Sequence, residues 1–181
     1  VTFPDRPFGE LLVPTNPLQH DTWPGYLWAR MQQTLVESRV DVEQDVPEFA
    51  SILAGIRADL EQLNGFTQRC LVHGDYFPGN VFIDQQLRIC GVGDFSYAAI
   101  VGDPRMDLAG AIAYLEVLDS YQPDDTTMLL ELVAQRYGLE ILPIMELYRR
   151  FYSVYFSFCK HSDPVTYAWC IRNLRDARHM P

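Results

Sequence analysis

Three polar side chains stand at a spacing that could manage a phosphoryl group. Asp75 and Asn80 lie within His73-Gly74-Asp75-Tyr76-Phe77-Pro78-Gly79-Asn80, and a second carboxylate follows in Gly93-Asp94-Phe95. A phosphoryl group in transfer needs its acceptor hydroxyl held in line and its charge neutralised by metal, with little covalent help. Asp75 is suited to accept or orient the hydroxyl proton, an assistance that contributes about 10²–10⁴-fold in rate. Asn80 and Asp94 suit Mg²⁺, which takes oxygen ligands but only one or two carboxylates and fills its shell with water and phosphate oxygens. The Asn80 amide is neutral, so the site does not become too negative to accept ATP. Gly74 and Gly79 let the backbone turn where a side chain would obstruct the substrate. His73 reads as a structural ring tying the loop to its neighbours, with a catalytic His73 as the sharper alternative.

These residues need elements to hold them. Arg69-Cys70-Leu71-Val72 is a short strand leading into the loop, and Val81–Ile83 and Leu87–Val92 form a hairpin that delivers Asp94 at its end. Residues 69–94 thus read as a catalytic loop plus a metal-binding hairpin. Upstream, the proline-rich residues 1–22 read as irregular chain wrapped over a surface. A helix runs from Thr22 to about Arg39, on a stripe of Leu27, Met31 and Leu35. Asp41–Asp45 reads as a solvated loop, and Asp45 caps a second helix that ends at Gly65. Downstream the chain is helical: from Asp103-Pro104 through Leu115, from about Asp124 to Tyr137 before Gly138, from about Leu142 to Lys160, and from Asp163-Pro164 to near Arg178. The fold class is α+β and mostly helical, in one domain covering 1–181.

Asp and Asn are also ordinary turn formers, and His-Gly-Asp alone would not exceed that reading. The addition of Asn80, an apolar strand, a hairpin and a second Asp-Phe does. Gly91-Val92-Gly93 lacks the third glycine of a dinucleotide fingerprint and is followed by Asp94 where a helix should open. Asp103 reads as a helix cap. Asp107, one turn on, could accept backbone N–H bonds from the catalytic loop and fix its geometry.

The 181 residues, 48% hydrophobic and 21% charged, describe an ordinary globular protein. A net charge of −10 argues against nucleic acid as a partner and is compatible with a cationic small substrate, although an acidic surface is more often a solubility feature. Cys70, Cys90, Cys159 and Cys170 show no metal-type spacing and read as free thiols in a reducing cytoplasm. No signal peptide and no apolar run of membrane-spanning length is present, so neither a membrane nor export is expected.

The pattern His73 to Ile83 resembles the H-G-D-x-x-x-x-N loop of the aminoglycoside phosphotransferase and choline kinase-like family of small-molecule kinases. Val92-Gly93-Asp94-Phe95 and Gly102-Asp103-Pro104-Arg105-Met106-Asp107-Leu108-Ala109 resemble its second pattern. The resemblance implies a protein-kinase-like fold in which Asp75 is catalytic, Asn80 and Asp94 hold Mg²⁺, Asp107 braces the loop, and ATP or another nucleoside triphosphate donates phosphate. Where that family usually carries an aliphatic residue before the metal carboxylate this chain has Gly93, which would loosen the strand end. The family's β-rich N-terminal lobe, with its glycine-rich loop and lysine, has no counterpart, and the single lysine is Lys160. The resemblance therefore implies a C-terminal lobe alone, residues 1–22 following the hinge, and a chain inactive without the other lobe.

The acceptor would be a hydroxyl of a small molecule. Tyr148, Phe151, Tyr152, Tyr155, Phe156 and Phe158 crowd one helix and Trp169 sits on the next. They could box a cation, but a stripe at helical spacing is more often core. Two other readings compete: a non-catalytic scaffold built on the same lobe, and a two-metal phosphoesterase. The second would need further ligands, whereas His20, His161 and His179 are isolated.

Overall fold

The strands that frame the loop come from distant parts of the chain. The structure is a computed structural model that describes residues 1–176. Four short antiparallel strands lie in the order β2-β1-β6-β3: β1 Phe8–Glu10, β2 Gln19–His20, β3 Cys70–Val72 and β6 Ile100–Gly102. A separate two-stranded hairpin pairs β4 (Val81–Ile83) with β5 (Ile89–Val92). The opening segment is therefore not irregular throughout, because it supplies β1 and β2 and also a bridge from Thr2 to Cys70. Strand β6, for which the sequence offered no signal, is central. It pairs with β1 through Gly9↔Val101 and with β3 through Leu71↔Val101.

Six α-helices make up the rest of the described chain: α1 Trp23–Asp45, α2 Phe49–Leu60, α3 Arg105–Leu115, α4 Pro123–Tyr137, α5 Leu142–Tyr155 and α6 Pro164–Asp176. Helix α1 begins where Thr22 accepts a hydrogen bond from the Gly25 amide, with Pro24 in the first turn. It runs on through the acidic stretch expected to be a loop. Val42 is fully buried, and the Asp41 and Asp45 carboxylates meet the Lys160 ammonium at 2.8 and 3.1 Å. That pairing commits the only lysine of the chain to a structural role. Asp45 consequently ends α1 and does not cap α2, whose N-cap is Glu48.

The apolar stripes read from the sequence do form the core. Trp23, Leu27, Met31 and Leu35 of α1 meet Phe49, Leu53, Ile56 and Leu60 of α2 and Tyr148, Phe151 and Tyr152 of α5. Each such side chain, once buried, contributes about 1.5–3 kcal/mol. Helix α5 packs against α1, α3 and α6, so it is the spine of the domain. Its aromatic run does not continue to Lys160 as α-helix, since Phe156–Cys159 tighten into a 3₁₀ turn. Gly138, at a φ of 92°, terminates α4 as expected. The expected end of the last helix at Arg178 lies outside the described residues.

Asp103 is buried at the foot of α3. Its carboxylate accepts from the Arg105 amide at 3.0 Å, but the N-cap position of α3 is Pro104, one residue later than expected. It also accepts from Tyr148 Oη at 2.6 Å, and Tyr148 in turn accepts from Trp23 Nε1 at 2.8 Å. This chain joins α1, α5 and the start of α3 through the core. Gly102 is required beside it, because a Cβ there would fall 2.5 Å from the Trp23 ring.

Candidate active site

The loop from His73 to Asn80 is held from below by α3. Both carboxylate oxygens of Asp107 are used: Oδ2 accepts the His73 amide at 2.8 Å and Oδ1 the Gly74 amide at 3.0 Å. Burial pushes the Asp107 carboxyl above its ordinary value, against the opposing pull of these two amides and of His73. Gly74 adopts a φ of 76°, and a Cβ would lie 2.1 Å from the Ala98 carbonyl oxygen. Only glycine fits there.

His73 joins the loop to the hairpin. Its Nε2 donates to the Gly93 carbonyl at 2.7 Å and its Nδ1 accepts from the Asp75 amide at 3.3 Å, which fixes the proton on Nε2. The ring lies 4.5 Å from that of Phe95. Gly93 also donates its own N–H to the Asn80 carbonyl at 2.9 Å, one step beyond the Val81↔Val92 pair. Both backbone groups of Gly93 are thus engaged, and the expected loosening of this strand end does not occur. Asn80 is brought opposite Gly93, the residue before Asp94, by ladder geometry.

The three polar side chains are placed differently. Asn80 is buried, and its Nδ2 donates to the Asp75 carbonyl at 2.9 Å and to Asp75 Oδ2 at 3.4 Å. Among the described residues nothing donates a hydrogen bond to its Oδ1. Asp94 is exposed, its carboxylate makes no hydrogen bond or ion pair among the described residues, and it sits at a φ of 58°. A left-handed backbone at a non-glycine residue with an unpartnered carboxylate is the kind of local cost found at functional sites. The donor set left open is therefore one neutral amide oxygen and one carboxylate, which fits the modest protein share of a Mg²⁺ shell. Among the described residues no group of three or more His, Cys, Asp and Glu side chains forms a metal cluster.

One residue of the site escaped the sequence reading. Tyr114, two turns after Asp107 on the same face of α3, donates to the Gly74 carbonyl at 3.2 Å. Burial, followed by the charge and hydrogen bonding of Asp75, pushes its phenol far above the ordinary range, so it stays protonated. Its ring lies 5.8 Å from Phe77 and 5.4 Å from Phe156. The seven-residue spacing from Asp107 was the available signal.

A mostly helical lobe whose strand-borne loop carries an aspartate and an asparagine, is braced by a helical aspartate and is followed by a hairpin ending in a further aspartate has the architecture of the C-terminal lobe of a protein-kinase-like fold. The chain belongs to the phosphotransferase enzyme family, whose sequence profile matches residues 10–151. Among solved structures it is similar to a thermostable mutant of aminoglycoside phosphotransferase APH(4)-Ia in its apo form, at 20% identity and a TM-score of 0.68 over 96% of this chain and 57% of that one. A ternary complex of that protein with AMP-PNP and hygromycin B matches at 20% identity and a TM-score of 0.68, covering 94% of this chain and 56% of that one. A ternary complex with ADP and hygromycin B matches at 20% identity and 0.66, with coverages of 94% and 56%. The chain thus spans little more than half the length of these structures. No curated protein sequence matches it. No helix among the described residues is long and apolar enough to cross a membrane.

Proposed function

We propose that this chain is the catalytic lobe of an enzyme that transfers a phosphoryl group from ATP or another nucleoside triphosphate to a hydroxyl of a small molecule. The observation that carries the reading is the pairing of a braced loop with an open shoulder. Asp107 and His73 tie down the loop bearing Asp75, while Asn80 Oδ1 and the Asp94 carboxylate are left without partners among the described residues.

In this reading Asp75 accepts the acceptor's hydroxyl proton, or orients the hydroxyl, as the oxygen closes on phosphorus. Asn80 Nδ2 reaches the Asp75 carboxylate at 3.4 Å, and the Tyr114 phenol donates to the carbonyl of Gly74, the residue before Asp75. Asn80 Oδ1 and Asp94 would hold Mg²⁺, which supplies charge neutralisation for the phosphates. The apolar side chains exposed on the hairpin, Phe82, Ile83 and Ile89 among them, give a surface on which the nucleotide-carrying part of such an enzyme would rest. The neighbouring structures hold AMP-PNP or ADP together with hygromycin B, and these ligands support a nucleotide donor and a hydroxylated, cationic acceptor by analogy of fold.

The test is transfer of label from γ-labelled ATP to a panel of hydroxylated amines and sugars, by protein containing this lobe and by its Asp75→Asn variant. Label should appear in an acceptor at a rate about 10²–10⁴-fold lower in the variant. Equal rates in the two proteins would remove Asp75 from the mechanism.

A further inference from the structure

Among the described α-helices, α4 alone buries none of its residues. Its inward stripe of Leu129, Leu130 and Val133 reaches the core but is only partly covered. The space it leaves is a cavity of about 230 Å³ between α3, α4 and α5. Ala109 and Ile112 of α3, Leu130 of α4, and Leu142 and Met145 of α5 give it apolar walls. At about 3.6 residues per turn, Ala109 and Ile112 lie on the side of α3 away from Asp107 and Tyr114, which hold the loop.

The polar side chains on this lining are paired, with one exception. Thr126 donates to Glu116 at 2.9 Å, and the Arg149 guanidinium donates to the same carboxylate at 3.1 and 3.3 Å. Glu146 accepts no hydrogen bond among the described residues. Its ion-pair contacts are Arg149 Nη1 at 3.8 Å and Arg150 Nε at 3.9 Å, beyond hydrogen-bond length. Both guanidiniums are committed to other carboxylates, Arg150 to Asp59 at 2.7 Å. Burial, opposed by the two arginines, pushes the Glu146 carboxyl above its ordinary value. A half-buried acceptor thus stands open on the wall of an otherwise apolar space.

We infer that this cavity is a binding site for a neutral aromatic molecule of two fused rings that donates one hydrogen bond, from N–H or O–H, to Glu146. The size follows from volume: an apolar cavity of about 150 Å³ takes benzene, so this one has room for a second ring. The charge follows from the lining. An anion would meet the Glu146 carboxylate. An ammonium would give up its water for a single acceptor, with Arg149 on the same wall. A neutral donor loses less water and still gains a charge-assisted bond. The rings would cover Leu130 and Leu142 and complete the seat of α4 that the protein's own side chains leave open. Asp75, Asn80 and Asp94 take no part, so binding here does not depend on the phosphotransferase reading.

The experiment is a calorimetric titration of protein containing this lobe, with the site located by the ¹³C-methyl signal of Met145, assigned through Met145→Leu. The probes are indole, its sulfur isostere benzothiophene, which has no donor, and tetrahydroisoquinoline, a bicyclic cation. Indole should bind saturably, move the Met145 methyl signal, and bind about tenfold more tightly than either other probe. Glu146→Met keeps an unbranched side chain and removes the acceptor. It should bring indole down to the affinity of benzothiophene and leave benzothiophene unchanged. The comparison of indole with benzothiophene needs no variant, so it decides the matter even where Glu146→Met does not fold. Benzothiophene or the cation binding as tightly as indole, indole binding that leaves the Met145 methyl unmoved, no saturation by indole, or indole affinity unchanged in a folded Glu146→Met would overturn the inference.

Discussion

The two carboxylates that flank Asn80 live in opposite circumstances. Asp75 belongs to a loop in which nearly every neighbour is tied down, by Asp107 below, His73 across and Tyr114 behind. Asp94 stands on the free shoulder of a hairpin whose side chains face outward, with Leu87 79% and Ile89 67% exposed, and no described residue bonds to its carboxylate. On the proposed reading, in which Asp75 accepts a proton and Asp94 holds metal, the contrast teaches a division of labour. A proton acceptor must be held in one geometry before substrate arrives, and the helical lobe supplies that rigidity. A metal carboxylate must stay uncommitted until a phosphate-bound ion arrives, and a protein hydrogen bond would compete with it.

Substitutions on the two sides should therefore fail in different ways. Asp94→Asn should abolish transfer at ordinary Mg²⁺ concentrations yet move unfolding free energy by less than about 0.5 kcal/mol, since no protein contact is lost. Thermal melting beside the label assay checks this, and a variant that melts early would place Asp94 among the structural residues. Asp107→Ala should lower both, because it orphans the buried amides of His73 and Gly74 at about 1–3 kcal/mol each. Should Asp107→Ala melt like the parent, the idea of a loop locked from below would fail.

A smaller effect separates the scaffold from the site. Tyr148→Phe removes the hydroxyl between Trp23 Nε1 and the Asp103 carboxylate, 2.8 and 2.6 Å away. It should cost about 1–3 kcal/mol in denaturant unfolding and leave the architecture of the loop intact. The smallest effect concerns pH. The Asp107 carboxyl titrates above its ordinary 3.8 because of burial. The stability linked to it is fully present below 3.8, where both folded and unfolded forms are protonated, and declines as pH rises through the higher folded value. Asp107→Asn should flatten that decline in a series of melts across the acid range. An identical pH slope in the variant would show that burial of Asp107 is not felt in stability.

The same contrast explains what could be read from the residues in order. His73 to Asn80, the hairpin and Asp94 were legible because turn chemistry and strand alternation act over a few residues. So was the relation of Asp107 to the loop, through its place in the first turn of α3. Strand β6 was not, because Ile100–Gly102 is three residues long and owes its existence to β1 and β3, far away in sequence. The last turns of α1 were hidden for a like reason. Asp41 and Asp45 look like a solvated loop until Lys160 is placed beside them. Tyr114 was missed because its side chain matters only once α3 is laid against the loop.

The account turns on whether Asn80 and Asp94 jointly hold a divalent ion. Titration of Mn²⁺ into isotopically labelled protein, read as paramagnetic broadening of amide signals, tests this without requiring turnover. Broadening centred on Asn80, Gly93 and Asp94, displaced by excess Mg²⁺ and lost in Asp94→Asn, is the predicted result. Broadening centred elsewhere, or surviving that substitution unchanged, would contradict it.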